Sequence, residues 1–188
     1  GYEGNWTQAT KPESEKVDEN DDLKLKGLYY NLKFNPESDN AYNYRYLQPH
    51  LKGTNNPYED DKKYYSMSRI NSQINEILIK RFGKGLSQEE ITENNQVTKD
   101  GRANVWYIVR FLDGFVLDTN IAELRTLLFN ESAPECEVFS YSPSDDEGKS
   151  SDEERQAIGA WYYCIPQMHY GGYGQIITTS GYAYGAAG

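Results

Sequence analysis

Residues 105–120 read VWYIVRFLDGFVLDTN, and this stretch decides the fold class. Its first half, Val105–Leu112, is β-branched and aromatic, which is typical of a strand. Asp113-Gly114 follows, and this pair is a strong hairpin-turn signal because glycine tolerates a positive φ. Phe115–Leu117 is predicted to be the return strand. The stretch therefore predicts an antiparallel β-hairpin within a larger sheet.

The chain after the hairpin alternates short strands with one short helix. Glu137–Tyr141 is predicted to be a strand, and Gln156–Cys164 a helix that stops near Pro166, because proline cannot continue it. Gln175–Thr179 is predicted to be another strand. Tyr182–Gly188 is predicted to be a turn-rich tail.

The chain before the hairpin contains one clear helical pattern. In Ser68–Phe82, apolar residues fall at positions i, i+4, i+7 and i+8, and Gly83 is a stop signal. A strand over Glu76–Phe82 competes with this helix on sequence alone. Leu23–Phe34 alternates apolar and polar residues and is predicted to be a strand, whereas Asn35–Asp61 is predicted to be irregular.

Composition excludes several functional classes. The net charge of −10 argues against nucleic-acid binding, which requires clustered Lys and Arg. Cys136 and Cys164 form no CxxC pair, and neither His50 nor His169 has a partner in the sequence, so no metal site is predicted. The two cysteines form either one disulfide or, as we favour, two free or buried thiols.

The chain contains no apolar run near the ~18 residues that span a bilayer. It begins with Gly and carries no signal peptide, which predicts a mature or trimmed chain. Its acidic, polar beginning is typical of secreted or lipid-anchored bacterial proteins. We therefore expect an extracytoplasmic location, in the periplasm or outer membrane of a bacterium, with membrane contact only through a lipid anchor.

Three segments together resemble the FKBP family of peptidyl-prolyl isomerases. The first is Tyr107–Asn120, an aromatic strand with an acidic-Gly turn and an apolar-Asp-Thr stretch. The second is Ala157-Ile158-Gly159-Ala160-Trp161, followed by Met168. The third is Gln175–Gly188, which contains Ala183-Tyr184-Gly185. The resemblance covers residues 104–188.

The resemblance implies an α+β fold, in which an FKBP-like antiparallel sheet wraps around a short helix and carries an N-terminal extension. The expected division is a flexible acidic linker at 1–22, an extension of uncertain, partly helical fold at 23–100, and an FKBP-like domain at 101–188. Family members continue after Ala-Tyr-Gly with a final sheet strand. We hypothesise that Leu23–Phe34 takes the place of this final strand, beside Gln175–Thr179.

The implied function is peptidyl-prolyl cis-trans isomerisation that assists protein folding. An apolar pocket grips the proline ring while hydrogen bonds favour the twisted amide, and no cofactor is needed. Expected partners are proline-containing peptides, unfolded proteins and macrolide inhibitors. The resemblance assigns catalytic roles to Tyr107, Asp118, Trp161 and Tyr184, and substrate binding to Leu117, Phe139, Ala157 and Ile158. Trp161 would be the pocket floor, Asp118 the neighbouring polar group, and the Tyr184 hydroxyl and Ile158 N–H the donors to substrate.

Departures from the family pattern support alternatives. The family usually has an aromatic residue at Leu117 and glycine at Ala160. A non-catalytic peptide- or protein-binding module of a bacterial surface lipoprotein is therefore the second hypothesis, and a purely structural envelope protein the third. The acidic insertion Ser144–Glu154 either attracts peptides with basic flanks or is only a solvated loop.

Overall fold

The computed structural model describes residues 6–37, 67–112, 114, 116–149 and 154–185. The strands in these ranges are β1 (Thr7–Thr10), β2 (Lys24–Asn31), β3 (Ala103–Val105), β4 (Ile108–Arg110), β5 (Val116–Thr119), β6 (Phe139–Tyr141) and β7 (Gln175–Thr178). The α-helices there are α1 (Met67–Phe82), α2 (Ala122–Phe129) and α3 (Gly159–Cys164). The predicted α+β class is confirmed: strands pair in small sheets, and helices lie between them in sequence.

The chain divides into two compact units, each made of separate segments. The sheet unit contains Gly1–Phe34, Gly85–Ala103 and Ser140–Gly188, and the hairpin unit contains Asn35–Lys84 and Asn104–Phe139. Strands β3 and β6 pair with each other in a two-stranded sheet. The predicted boundaries after residues 22 and 100 are not the boundaries of these units.

The sheet unit is built on a three-stranded sheet with the order β1-β2-β7. Strand β2 is central and pairs antiparallel with β7, with Leu28 opposite Thr178 and Asn31 opposite Gln175. The hypothesis that Leu23–Phe34 lies beside Gln175–Thr179 is therefore confirmed. Strand β7 therefore takes its backbone partners from β2.

Gly27 interrupts the alternation of β2. Its φ is +80°, a conformation that costs little only for glycine. Strict alternation would place Leu25 and Leu28 on opposite faces, yet both are buried, because the register against β1 shifts at this point. The Gly27 carbonyl also accepts a hydrogen bond of 3.0 Å from the Thr179 N–H.

The core of the sheet unit lies between this sheet and α3. Its buried members come from β1, β2 and α3: Ala9, Leu25, Leu28, Ala160 and Cys164. Ala160 and Cys164 are four residues apart and fall on one face of α3, so two small side chains allow the helix to approach the sheet closely. Ile158, Met168 and Ile176 pack against this core while remaining half-buried.

The prediction of a linker at residues 1–22 is wrong for Thr7–Thr10, which forms β1 and pairs with β2. A second tie is made by Glu15, whose two carboxylate oxygens accept 3.0 Å hydrogen bonds from the hydroxyls of Tyr162 and Tyr163. Burial and the contact with Glu15 raise the pKa of both tyrosines, that of Tyr163 to about 12. The acidic beginning of the chain is part of the folded sheet unit.

Helix α1 of the hairpin unit confirms the predicted helix at Ser68–Phe82, and the competing strand over Glu76–Phe82 is wrong. Ile74 and Leu78 are buried on one face of the helix. Gly83 ends it with a φ of +79°, and its N–H donates to the Ile79 carbonyl at 2.8 Å.

The predicted hairpin is confirmed in β4 and β5, which pair antiparallel. The predicted strand Val105–Leu112 is divided, because the chain leaves the extended ladder between β3 and β4. Gly114 has the predicted positive φ of 91°, whereas Asp113 lies outside the described residues. Helix α2 was not predicted; it buries Leu124 and Leu128.

The remaining expectations are largely met. The predicted strands at Glu137–Tyr141 and Gln175–Thr179 correspond to β6 and β7, and the predicted helix at Gln156–Cys164 corresponds to the shorter α3. The irregular structure predicted for Asn35–Asp61 lies outside the described residues after position 37, as does His50. Among the helices that the structure describes, none combines the length and apolar character needed to cross a bilayer.

Cys136 and Cys164 are both free thiols, as favoured from the sequence. Cys164 is fully buried in the core of the sheet unit, and burial raises its pKa to about 12. Cys136 is half-buried. The two thiols therefore differ in their access to solvent.

Gly27→Ala is expected to destabilise the protein more than Gly83→Ala. Both glycines have positive φ, which costs alanine about 1–2 kcal/mol. A Cβ at Gly27 would also lie 2.6 Å from the Thr179 methyl group, adding about 1–3 kcal/mol, whereas a Cβ at Gly83 meets nothing within 4 Å. Urea unfolding measures both losses. Thr179→Ser should recover the excess in the Gly27→Ala background, and equal losses for both glycines would contradict this account.

The native protein is expected to react at Cys136 first with a thiol reagent at pH 8, because the thiolate is the nucleophile. Burial raises the folded-state pKa of the Cys164 thiol to about 12, above its ordinary value of 9.0, so this thiol stays protonated at pH 8. Because the folded-state pKa is the higher one, the contribution of Cys164 to the free energy of unfolding is complete below pH 9.0 and is lost as pH rises toward 12. Mass spectrometry after timed labelling identifies each thiol. Cys136→Ser, the control, should label only on unfolding; fast labelling of that variant would refute the assignment.

Candidate functional site

The residues that the resemblance assigns to a proline pocket divide between the two units. Those in the hairpin unit are Tyr107, Leu117, Asp118 and Phe139, and those in the sheet unit are Ala157, Ile158, Trp161 and Tyr184.

Tyr107 is held by three consecutive residues of the return strand. Its hydroxyl donates to Asp118 Oδ2 at 3.0 Å, and its carbonyl accepts from Thr119 Oγ1 at 2.7 Å. Its N–H donates to Asn120 Oδ1 at 2.8 Å. The Asp-Thr-Asn sequence therefore fixes the phenol, the carbonyl and the amide of one tyrosine.

Asn120 extends this set of bonds to the neighbouring chain. Its side-chain amide is buried and donates to the carbonyls of Val105 and Glu137 at 3.0 and 3.1 Å. Its oxygen meanwhile accepts from Tyr107. One buried side chain therefore gives hydrogen-bond partners to three backbone groups, and its own polar atoms are satisfied in return.

Asp118 has a second partner besides the Tyr107 hydroxyl. Arg125 on α2 lies 3.0 Å from Asp118 Oδ1 and 2.5 Å from Glu131. The hydrogen bond to Glu131, together with the two negative charges, raises the pKa of Arg125, so the guanidinium stays charged. The two bonds to Glu131 fix the guanidinium, which then donates one hydrogen bond to Asp118. Sequence reasoning missed Arg125 as a partner of Asp118.

Leu117 and Phe139 supply apolar surface of different accessibility. Leu117 is 42% exposed, next to buried Val116 on β5. Phe139 begins β6 and is half-buried. The hairpin unit therefore presents an anchored tyrosine, a half-exposed carboxylate bonded to it, and an exposed leucine next to that carboxylate in the sequence.

Trp161 lies in the first turn of α3 in the sheet unit. Its N–H donates to the Ile158 carbonyl at 2.9 Å, and its half-buried indole meets the ring of Tyr141 edge-on at 5.5 Å. The neighbouring residues Ala160 and Tyr162 are buried, which fixes this part of α3. The indole therefore keeps one exposed portion on a helix that is otherwise largely buried.

Ala157 and Ile158 lead into α3 and are both half-buried, with Ile158 packed against the core of the sheet unit. Tyr184 follows the 3₁₀ turn Ser180–Tyr182 and is 42% exposed. Tyr182, two residues earlier, packs into the core instead.

The acidic insertion is folded against its own unit around Asp146. Asp146 is buried, and its carboxylate accepts hydrogen bonds from the N–H groups of Gln156 and Ala157 at 2.7 and 3.3 Å. On either side of it, Asp145 pairs with Arg102 at 2.6 Å and Glu147 pairs with Lys99. The expectation of a merely solvated loop is wrong for these residues. Residues 150–153 of the insertion lie outside the described ranges.

Tyr141 completes the surroundings of Asp146. The Tyr141 hydroxyl donates to Asp146 Oδ2 at 3.1 Å, and burial, followed by the negative charge of Asp146, raises the pKa of Tyr141. The phenol therefore stays protonated and remains a donor at neutral pH. Pro143 begins a 3₁₀ turn, and a proline at this position is a local sequence signal for such a turn. The sequence carries no signal for the hydrogen-bond partners of Asp146.

A shallow crevice elsewhere in the sheet unit contains none of the predicted residues. It is lined mainly by apolar side chains: Leu32, Phe34, Leu86, Ile91, Tyr173 and His169. Burial lowers the pKa of His169, which keeps its imidazole neutral at pH 7. Within the described part of the chain, His, Cys, Asp and Glu side chains form no group of three suited to a metal ion.

Comparison with known proteins gives no match to a family model, a curated protein or a solved structure. The FKBP resemblance rests on the residues of this chain.

Asn120→Ala is expected to lower the free energy of unfolding by about 2–4 kcal/mol, because alanine cannot make the three hydrogen bonds that the buried Asn120 side chain makes to the backbone of Val105, Tyr107 and Glu137. Urea unfolding measures the loss, and amide exchange reports the N–H of Tyr107. Asn104→Ala, at an exposed position on β3, is the control and should change stability by less than about 0.5 kcal/mol. Unchanged exchange at Tyr107 would contradict the proposed clamp.

Proposed function

We propose that this protein is a peptidyl-prolyl cis-trans isomerase of the FKBP type, which assists protein folding. The observation that carries the proposal is the hydrogen bond between the Tyr107 hydroxyl and Asp118, two residues that the sequence resemblance assigns to one proline pocket. The bond joins the two halves of the hairpin motif, and Arg125 holds its carboxylate.

The reaction requires a surface rather than a nucleophile. Rotation about an X-Pro bond has a barrier of about 18–20 kcal/mol, because the planar amide is stabilised by resonance. An apolar pocket that receives the proline ring and excludes water favours the twisted amide, whose carbonyl has lost that resonance. Aromatic side chains that are fixed in place suit this task, since little further ordering is needed on binding.

Each unit supplies features that this chemistry needs. In the hairpin unit, Tyr107 is fixed at its backbone and at its hydroxyl, beside the exposed Leu117. In the sheet unit, the indole of Trp161 is supported edge-on by Tyr141, and Tyr184 is exposed enough for its hydroxyl to reach a ligand. In this proposal, Phe139, Ala157 and Ile158 add apolar surface.

The FKBP-like fold is part of the proposal. Its support is the antiparallel pairing of β2 with β7. In this proposal, β2 takes the place of the family's final strand. Helix α3, which carries Trp161, packs against this sheet through Ala160 and Cys164. Substrates in this proposal are proline-containing peptides and unfolded proteins, in the periplasm or at the outer membrane of a bacterium.

A second candidate is a non-catalytic peptide-binding module of a bacterial surface lipoprotein. Leu117 favours it, because a leucine that is 42% exposed gives a thinner wall than the aromatic ring of the family. A macrolide directed against FKBP proteins separates the two functions. Binding with turnover supports the isomerase, and binding without turnover supports the module.

Trp161→Ala and Tyr107→Ala are each expected to lower kcat/KM by more than about tenfold, which corresponds to about 1.4 kcal/mol of transition-state stabilisation. A protease-coupled assay on a proline peptide measures the rate, and circular dichroism checks that each variant is folded. Tyr170→Ala removes an aromatic ring that is 45% exposed and outside the predicted site, and it should retain activity within about twofold.

Wild-type turnover in both folded pocket variants would count against the pocket assignment. Absence of turnover and of macrolide binding in the wild-type protein would count against both candidate functions.

A further inference from the structure

The carboxylate of Asp146 is the most enclosed charged group near the residues assigned to the pocket. Its side chain is 0% exposed, and Lys149 Nζ lies 3.8 Å from Oδ1. A buried carboxylate is costly unless hydrogen bonds replace the lost water. Here those bonds come from the backbone of the segment that leads into α3.

The two oxygens of Asp146 are used separately. Oδ1 accepts from the N–H of Gln156 at 2.7 Å, and Oδ2 accepts from the N–H of Ala157 at 3.3 Å. Successive N–H groups directed at one carboxylate fix the direction of the chain at that point. Ile158 is the next residue, and its carbonyl accepts the N–H of Trp161 at 2.9 Å.

Asp146 also reaches Trp161 from the other side, through Tyr141. Asp146 Oδ2 accepts the Tyr141 hydroxyl at 3.1 Å, and the Tyr141 ring meets the indole edge-on at 5.5 Å. Both supports of the indole, the backbone before α3 and the Tyr141 ring, therefore end on one carboxylate.

We propose that Asp146 is a positioning residue for the proline site, which sets the backbone at Ala157–Ile158 and the orientation of the Trp161 indole. Its effect on turnover rests on the proposed function, whereas its effect on the backbone and the indole does not. The acidic insertion then serves as a support of the site through Asp146.

The test compares Asp146→Asn with Asp145→Asn. Asparagine keeps the shape of the side chain but replaces one acceptor oxygen by an NH₂ group, which is a donor. One of the two backbone N–H groups then faces this donor and loses its acceptor. Asp145→Asn removes the same charge one residue earlier, where the carboxylate pairs with Arg102 and not with the 156–157 backbone. Amide exchange, indole fluorescence and steady-state kinetics on a proline peptide are measured for each.

In Asp146→Asn we expect exchange at the Gln156 and Ala157 amides to rise more than tenfold and the indole emission to shift. We also expect KM to rise about tenfold with kcat within threefold. Asp145→Asn should match the wild type in all of these measurements. Tyr141→Phe keeps the ring but loses the hydrogen bond to Asp146, so amide exchange at Ala157 should also rise, by a smaller factor. This variant replaces Asp146→Asn in the test if Asp146→Asn does not fold.

Unchanged exchange at residues 156 and 157 in the folded Asp146→Asn or Tyr141→Phe variant would overturn the positioning role, as would an equal effect of Asp145→Asn. A wild-type protein without turnover would instead remove the proposed function. The exchange and fluorescence results would still decide the structural part of the inference.

Discussion

The buried side chain of Asn120 is the constraint on which the geometry of the hairpin unit depends. Between β3 and β4 the chain leaves the regular ladder, so its backbone groups need other partners. Asn120 provides them to Val105, Tyr107 and Glu137 at once, while remaining buried and fully bonded. A satisfied polar group of this kind specifies one arrangement, because every alternative leaves a donor or acceptor unpaired in a low-dielectric interior.

Acidic side chains in the described part of the chain connect separate segments through ion pairs and hydrogen bonds. Asp21 pairs with Lys11 at 2.5 Å, and this bond, together with the N–H of Val17, holds the pKa of Asp21 below its ordinary value. Glu15 joins the first segment to α3, and Asp146 joins the insertion to the chain before α3. Much of the negative charge that the sequence presents as solvated runs therefore has a partner within its own unit.

The sequence predicted those elements whose signals are local. Helix α1 has periodic apolar residues and a glycine at its end, and β2 and the hairpin have alternation or a glycine turn. The strand at Thr7–Thr10 was missed because its stability comes from pairing with β2 and not from its own composition. Helix α2 was missed although Ile121, Leu124 and Leu128 have helical spacing, because the neighbouring strand pattern dominated the interpretation.

The site could be predicted only as far as its motif extends. The contact of Tyr107 with Asp118 connects two residues of one quoted motif. The support from Arg125 and from Asp146 depends on how α2 and the insertion fold, and one sequence carries no record of such contacts. These residues are visible only once the chain is placed in space.

The pairing of β2 with β7 has a consequence for folding during synthesis. Asn31 and Gln175, which bond to each other across these strands, are 144 positions apart. At about 5–20 residues per second on the ribosome, roughly 7–29 s pass between their syntheses. During that interval the nascent β2 has an open edge toward the missing strand, so the growing chain is a natural client for the chaperones that shield such edges.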